Sequence, residues 1–210
     1  LRRIRFMTSH PKDLSDDLID AMAECDKVCK SLHLPLQSGS TKILDTMNRK
    51  YTKESYLTLV DKIKSKIPEI ALTTDIIVGF PGETQEDFED TLDVVKKVGY
   101  HGAFTFIYSK RTGTPAAIME DQIDKESVTK RFDQLLDVVD TIVFDNMKNY
   151  VGQTLEVLVE EQSKNNPEIL SGRSEYGTLV HFKGTPSMIG TYVNVKIVEG
   201  KPYYVLGEIR

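Results

Sequence analysis

The sequence predicts an α/β architecture: a partial (βα) barrel of about four parallel strands, followed by a small antiparallel β-barrel. Three observations carry that prediction. Strand-like and helix-like stretches alternate through residue 147, the pattern of a parallel sheet joined by crossover helices. From residue 150 the apolar period shortens to two, with Gly, Pro and Asn between the runs, as in a compact β module of about 60 residues. A chain of 210 residues with 40% hydrophobic and 28% charged residues can also build a sizeable core. The expected units are residues 1–149 and 150–210, divided near Tyr150-Val151-Gly152.

In the first unit "RIRFMTSH" (3–10) reads as a strand. Residues 13–29 read as a helix, with Asp13 and Asp16 at capping-box spacing and Leu18, Met22, Cys25 and Cys29 on one apolar stripe. "LHLPLQ" (32–37) alternates leucines with His33, Pro35 and Gln37, a half-polar strand. Ser40 then caps a short helix through Met47, and residues 52–67 form a second amphipathic helix stopped by Pro68. "TTDIIVGFPGET" (73–84) begins as a β-branched strand of the kind buried on both faces, then breaks at Gly79-Phe80-Pro81-Gly82, where Pro81-Gly82 suits a type II turn. Thr84, with Asp87 three residues on, caps the next helix, which ends at Gly99. "GAFTFIYS" (102–109) is the fourth strand, and residues 126–149 form a long helix with Val128, Phe132, Leu135, Val139 and Ile142 on one stripe. The second unit offers "TLEVLVEE", "GTLVHF", "YVNVKIV" and "YYVLGEIR" as strands.

No apolar run reaches the roughly 18 residues of a membrane helix, and no signal-peptide core opens the chain. Two cysteines make no disulfide framework, which favours a reducing, cytoplasmic setting. The formal charge of −5 argues against a globally polyanion-binding protein. Residues 148–210 carry seven basic and seven acidic residues, so the whole excess lies upstream.

In α/β folds ligands gather at the carboxyl ends of parallel strands. Three polar, glycine-bearing exits fall there. "LPLQSGS" supplies Gln37, Ser38 and Ser40, with Gly39 for close backbone approach. "DIIVGFPGE" supplies Asp75 and Gly79, and "YSKRTGTPAA" supplies Arg111. "GFPGE" is no Walker loop, since it lacks the lysine and ends in an acid. Together the exits suggest a pocket for a zwitterionic or hydroxyl-rich small molecule, with Arg111 facing a carboxylate and Asp75 an amine or ribose hydroxyl. Cys25-x3-Cys29 resembles the start of a Cys-x3-Cys-x2-Cys cradle for a 4Fe–4S cluster, but the third position is Leu32. Both cysteines are therefore read as core packing. The four histidines are scattered, without metal-ligand spacing.

"LHLPLQSGS", "MNRKYT", "TTDIIVGFPGET" and "FTFIYSKRTGTPAA", in that order, resemble signatures of the radical S-adenosylmethionine methylthiotransferases. "GQTLEVLVEE" and "LSGRSEYGTLVHF" are similar to the TRAM module of that family, a small RNA-binding β-barrel. The branch most resembled modifies isopentenylated adenosine beside the anticodon of tRNA. Ser38 and Arg111 point away from the ribosomal-protein branch, and Ser40 away from the branch acting on threonylcarbamoyl-adenosine.

The resemblance implies S-adenosylmethionine at Gln37, Ser38, Ser40, Asp75, Gly79 and Arg111, and an RNA surface at Lys164 and Arg173. It also implies two 4Fe–4S clusters in a longer parent, held by cysteines that this chain lacks, and a 5′-deoxyadenosyl radical that acts at C2 of the adenine. On that reading the chain begins at about the third strand of the radical domain. It holds no cluster, is inactive alone, and its partner is a tRNA anticodon stem-loop. Gly177 and Thr178 stand where many relatives carry an Asn and a basic residue, which thins the phosphate contacts. "RIRFM" would be an unprotected edge open to artefactual self-association. The alternatives are the threonylcarbamoyl-adenosine enzyme and a non-catalytic RNA-binding adaptor.

Overall fold

The computed structural model describes residues 1–7 and 10–210. Its first part is a parallel sheet of three strands in the order β1 (Ser31–His33), β2 (Ala71–Val78) and β3 (Gly102–Ile107). The helices are α1 (Asp16–Glu24), α2 (Thr41–Thr46), α3 (Lys53–Lys66), α4 (Gln85–Val98) and α5 (Lys125–Lys148). The core joins Leu32, Leu72, Ile76 and Val78 of the sheet to Tyr56 and Ile63 of α3, Phe88 and Val95 of α4, and Leu135 and Val139 of α5.

Several expectations are corrected here. The expected first strand shrinks to one parallel bridge between Ile4 and Val28, closed by Ile4 N–H to Lys27 O (2.7 Å) and Cys29 N–H to Ile4 O (2.9 Å). Residues 8 and 9 of that stretch lie outside the described residues. Helix α1 starts two residues later than the acidic spacing suggests, because the Ser15 hydroxyl accepts from Leu18 N–H as N-cap. It ends at Glu24, so Cys25 is an exposed C-cap residue while only Cys29 is buried. β2 is not buried on both faces. Thr74, Ile76 and Val78 are buried under the helices, whereas Thr73, Asp75 and Ile77 are half-buried on a face that no helix among the described residues covers.

The half-polar strand after Ser31 is cut at Pro35, which has no N–H to give the ladder. Thr74 repairs the gap: its hydroxyl donates to Leu34 O (2.9 Å) and accepts from Leu36 N–H (2.8 Å). Pairing then resumes for one residue at Gln37, whose N–H reaches Asp75 O and whose carbonyl accepts from Ile77 N–H, each at 2.8 Å. The predicted caps are present: Ser40 on α2, a reciprocal box at Thr84–Asp87, and Gly99 left-handed at φ +65°; a second reciprocal box, Thr52–Ser55, opens α3.

The second part is a closed barrel in the order β4 (Thr154–Gln162), β5 (Ile169–Ser174), β6 (Leu179–Lys183), β8 (Tyr204–Ile209) and β7 (Tyr192–Lys201). Sequence reading passed over β5, whose "ILSGRS" is half small and polar. One pair, β6 with β8, is parallel, so the barrel is not wholly antiparallel. Val157, Val159, Leu170, Val180, Phe182, Val195, Ile197 and Val205 fill it, and Met147 and Tyr150 from the end of α5 join the same cluster.

Candidate functional site

The strand exits are built around two buried acids. At the exit of β2 the chain turns through Gly79 (φ +77°), where a Cβ would come within 2.7 Å of Val128. Phe80 to Glu83 closes the predicted turn, with Glu83 N–H to Phe80 O at 3.0 Å and Gly82 at φ +78°. The Glu83 carboxylate is buried; it accepts from Gly79 N–H (3.0 Å) and from Arg131 of α5 (2.9 Å), which also binds the Glu83 carbonyl. Burial raises the Glu83 pKa, and the Gly79 N–H and Arg131 pull against it. The acid that excludes a phosphate loop is thus the clamp that shapes the turn.

Asp87 plays the same part for the neighbouring exit. Burial would raise its pKa, but the Ser40 hydroxyl (2.6 Å), Thr84 N–H (2.9 Å) and Lys42 (2.9 Å) outweigh it and hold the group at about 2. Gly39 N–H donates to the Thr91 hydroxyl at 2.9 Å, and Ser38 lies 3.4 Å from the same oxygen. The side chains of Ser38 and Ser40 therefore face α4, where they brace the loop. Gln37 takes a left-handed φ of +66°, costly for a residue with a Cβ, and is held there by its two bonds to β2.

Asp75 points from the uncovered face of the sheet. Its carboxylate lies 3.4 Å from His33 Nε2, while His33 Nδ1 is 3.0 Å from the Thr73 hydroxyl. The register places Asp75 beside Phe104, and Ile77 beside Phe106. Both phenylalanines are exposed, and the Phe104 ring stands edge-on to His33 at 6.0 Å. The uncovered face thus combines a carboxylate, an imidazole and two aromatic rings. Arg111 lies past β3 in an exposed turn fixed by Thr114, whose N–H and hydroxyl both bind the Arg111 carbonyl. Among the described residues its guanidinium makes no hydrogen bond or ion pair, and it makes no contact with Asp75.

Sequence reading passed over His33, Phe104, Phe106 and the Glu83–Arg131 pair. Alternation along β1 and β3 carries a signal for the first three, since each shares a face with Asp75. The last pair spans 48 residues with no local signature.

On the barrel, Lys164 sits exposed in the β4–β5 connection. Arg173 of β5 donates to Gly177 O (3.0 Å) and lies 3.4 Å from Glu160. Gly177 takes φ +76° and Thr178 is buried, so neither of these positions offers a cationic contact.

The Radical SAM superfamily model matches residues 1–95, and the TRAM domain model matches residues 148–209. In fold the chain also resembles the solved coproporphyrinogen III oxidase of Escherichia coli, a radical SAM enzyme, with a TM-score of 0.55 at 18% identity over 67% of this chain and 32% of that one. The class is therefore a radical SAM α/β sheet joined to a TRAM barrel.

Along its whole length the chain is also similar to proteins named as synthases. It is 57% identical over 209 residues to the tRNA-2-methylthio-N(6)-dimethylallyladenosine synthases of Alkaliphilus oremlandii and Lachnoclostridium phytofermentans, covering 100% of this chain. It spans 44% and 46% of those two proteins, less than half of each.

Proposed function

We propose that the chain is the part of a tRNA methylthiotransferase that closes one side of the S-adenosylmethionine pocket and carries the RNA-binding barrel. In the whole protein the reaction adds a methylthio group at C2 of an isopentenylated adenosine beside the anticodon. The observation that carries this is the 57% identity to synthases of that name along the full chain, both parts included. The units are taken as residues 1–149 and 150–210.

The residues fit S-adenosylmethionine. Asp75 offers a carboxylate for an ammonium or ribose hydroxyls, Phe104 and Phe106 offer apolar rings to an adenine, and the unengaged guanidinium of Arg111 suits a carboxylate. Gln37 and Gly79 set the backbone between them, and Ser38 and Ser40 hold that backbone through α4. Bound there, the cofactor supplies the radical chemistry. The uncovered face orients it and keeps water from its apolar side.

The residues do not fit an iron–sulfur cluster. The sequence has two cysteines, one exposed at a helix end and one buried, and no group of three His, Cys, Asp or Glu among the described residues could hold a metal. The chain alone is expected to be inactive. Lys164 and Arg173 are proposed to meet a tRNA anticodon stem-loop. No helix of the described residues is long and apolar enough to cross a membrane, and a cytoplasmic setting is proposed on the tRNA reading. Self-association through the outer edge of residues 3–7 is tested by solution scattering at rising concentration.

The functional test uses the whole protein reconstituted with iron and sulfide without oxygen. Digested tRNA product is read by mass spectrometry for 2-methylthio-N6-isopentenyladenosine, with Asp75→Ala and Arg111→Ala expected to abolish it. A methylthio product only on threonylcarbamoyl-adenosine would move the chain to that branch. No modified nucleoside at all would favour an RNA-binding adaptor.

A further inference from the structure

The barrel is electrically neutral, which is a poor start for holding RNA. The structure shows where extra positive charge is added. Residues 2–5 run along the barrel beside β4 and β5, and three arginines reach across to it. Arg3 donates to the carbonyls of Arg173 (2.9 Å) and Glu156 (2.7 Å) and to the Glu156 carboxylate (3.1 Å). The pairing of β4 with β5 begins only at Val157, so Arg3 takes the Glu156 carbonyl next to the start of that ladder. Arg5 donates to Ser174 O at 3.0 Å and faces Glu160 at 3.7 Å. Arg2 pairs with Glu156, and Arg2 and Arg3 stack over Tyr192 at 4.2 and 4.9 Å.

On its own this face of the barrel presents Glu156 and Glu160 against Arg173, a surplus of one negative charge. With the three strap arginines, four guanidiniums face two carboxylates. Arg2, Arg3 and Glu156 also line a cleft with Asp26, Lys27 and Glu175, where three cations meet three carboxylates, so the excess of positive charge lies on the outer side, at Arg5 and Arg173. Arg3 is nearly buried and acts as the anchor, whereas the side chains of Arg2 and Arg5 stay 60% and 37% exposed. Guanidiniums fixed in orientation, with unspent donors, suit phosphate oxygens.

We propose that the RNA-binding face of this protein is composite: Arg2 and Arg5 of the N-terminal strap contact RNA phosphates beside Arg173, and Arg3 locks the strap onto the barrel. This rests on the reading of the barrel as an RNA-binding module and adds which residues outside it complete the surface.

The test is a fluorescence-anisotropy titration of the 210-residue chain with a 5′-labelled RNA stem-loop across a series of salt concentrations. Each phosphate contact removed lowers the slope of log K against log salt by about 1. Arg2→Ala with Arg5→Ala is expected to lower it by about 1 to 2 and to weaken binding. Lys12→Ala with Lys130→Ala, the same charge change on exposed residues elsewhere, should leave the slope as it was. Glu160→Gln should tighten binding, an effect of opposite sign that misfolding does not mimic. RNA binding with an unchanged slope in the strap variant, or no tightening by Glu160→Gln, overturns the composite face while leaving the RNA reading intact. Failure of the unaltered chain to bind RNA overturns both.

Discussion

The two ends of the three-stranded sheet are built on different physics. At the strand exits the backbone is pinned by ionised groups taken out of water: Glu83 with Arg131, and Asp87 with Ser40, Thr84 and Lys42. At the opposite end the sheet meets the barrel through rings and close backbone approach. Tyr150 lies between His101 and Tyr176, with centroids at 6.5 and 5.7 Å, and Gly200 of β7 packs against the main chain of Met147 and Lys148. Helix α5 joins the two ends. Its 24 residues span about 36 Å, from Val128 and Arg131 beside the β2 exit to Met147 inside the barrel core. Charge fixes the backbone of the strand exits, and apolar area fixes the larger body. Buried charge contributes geometry at a cost in desolvation, so each end fails differently when perturbed.

The sharpest way to break the contrast is Arg131→Ala. It leaves Glu83 buried without its cation, which costs about 3–5 kcal/mol. Urea unfolding followed by circular dichroism should show the loss. Glu83→Gln combined with Arg131→Met, which removes both charges, should recover much of it. A loss under 1 kcal/mol for the single variant would mean that the Gly79 loop is held by packing and not by the ion pair.

The barrel-facing end should instead reveal itself through pH. Burial, aided by Lys64, lowers the His101 pKa from 6.5 to about 4, and the ring Nδ1 is buried without a hydrogen-bond partner among the described residues. Its folded pKa lies below the unfolded one, so protonation favours unfolding. The stability is complete above pH 6.5 and is lost as pH falls toward 4. The shift corresponds to about 3 kcal/mol at full effect. Thermal melts between pH 7 and 4 should therefore slope downward, and His101→Phe should flatten them. An unchanged slope in that variant would place the pH sensitivity elsewhere.

Ser40→Ala, back at the strand exits, removes one N-cap and one hydrogen bond to Asp87 together, for an expected loss of about 1–2 kcal/mol. The Asp87 pKa is depressed in the fold, so its contribution is present above the unfolded value of 3.8 and is lost as pH falls toward 2. Chemical unfolding at pH 7 and at pH 3 should show a smaller Ser40→Ala penalty at the acid end.

The same contrast explains what was legible in the sequence. Caps at Ser40, Thr84 and Gly99, the Pro81-Gly82 turn and the stripe of α5 rest on neighbours within a few residues, and each was readable. β5 was not, because "ILSGRS" lacks the β-branched run that marks a strand and is made one by pairing on both sides. The end of α1 was misread because Cys25 continues an apolar period that the fold does not use. In the candidate site, Asp75 and Gly79 stand out in the sequence as anomalies in a strand and at its end. The roles of Ser38 and Ser40 depend on α4, about 50 residues away, and so do not.

The smallest expected effect on stability is the most informative about function. Arg111 is exposed and its side chain has no hydrogen-bond or ion-pair partner among the described residues, so Arg111→Ala should change unfolding free energy by no more than about 0.5 kcal/mol. A residue that the fold does not use can still serve a ligand. In the whole reconstituted protein the same variant should weaken S-adenosylmethionine binding in calorimetry at least tenfold, because a carboxylate loses its bidentate partner. Ser38→Ala should do the reverse, costing stability through the Thr91 contact with little effect on the affinity of the folded protein. Equal affinity in Arg111→Ala and the unaltered protein would remove Arg111 from the pocket. The uncovered face around Asp75, Phe104 and His33 would then be the whole of this chain's share of the site.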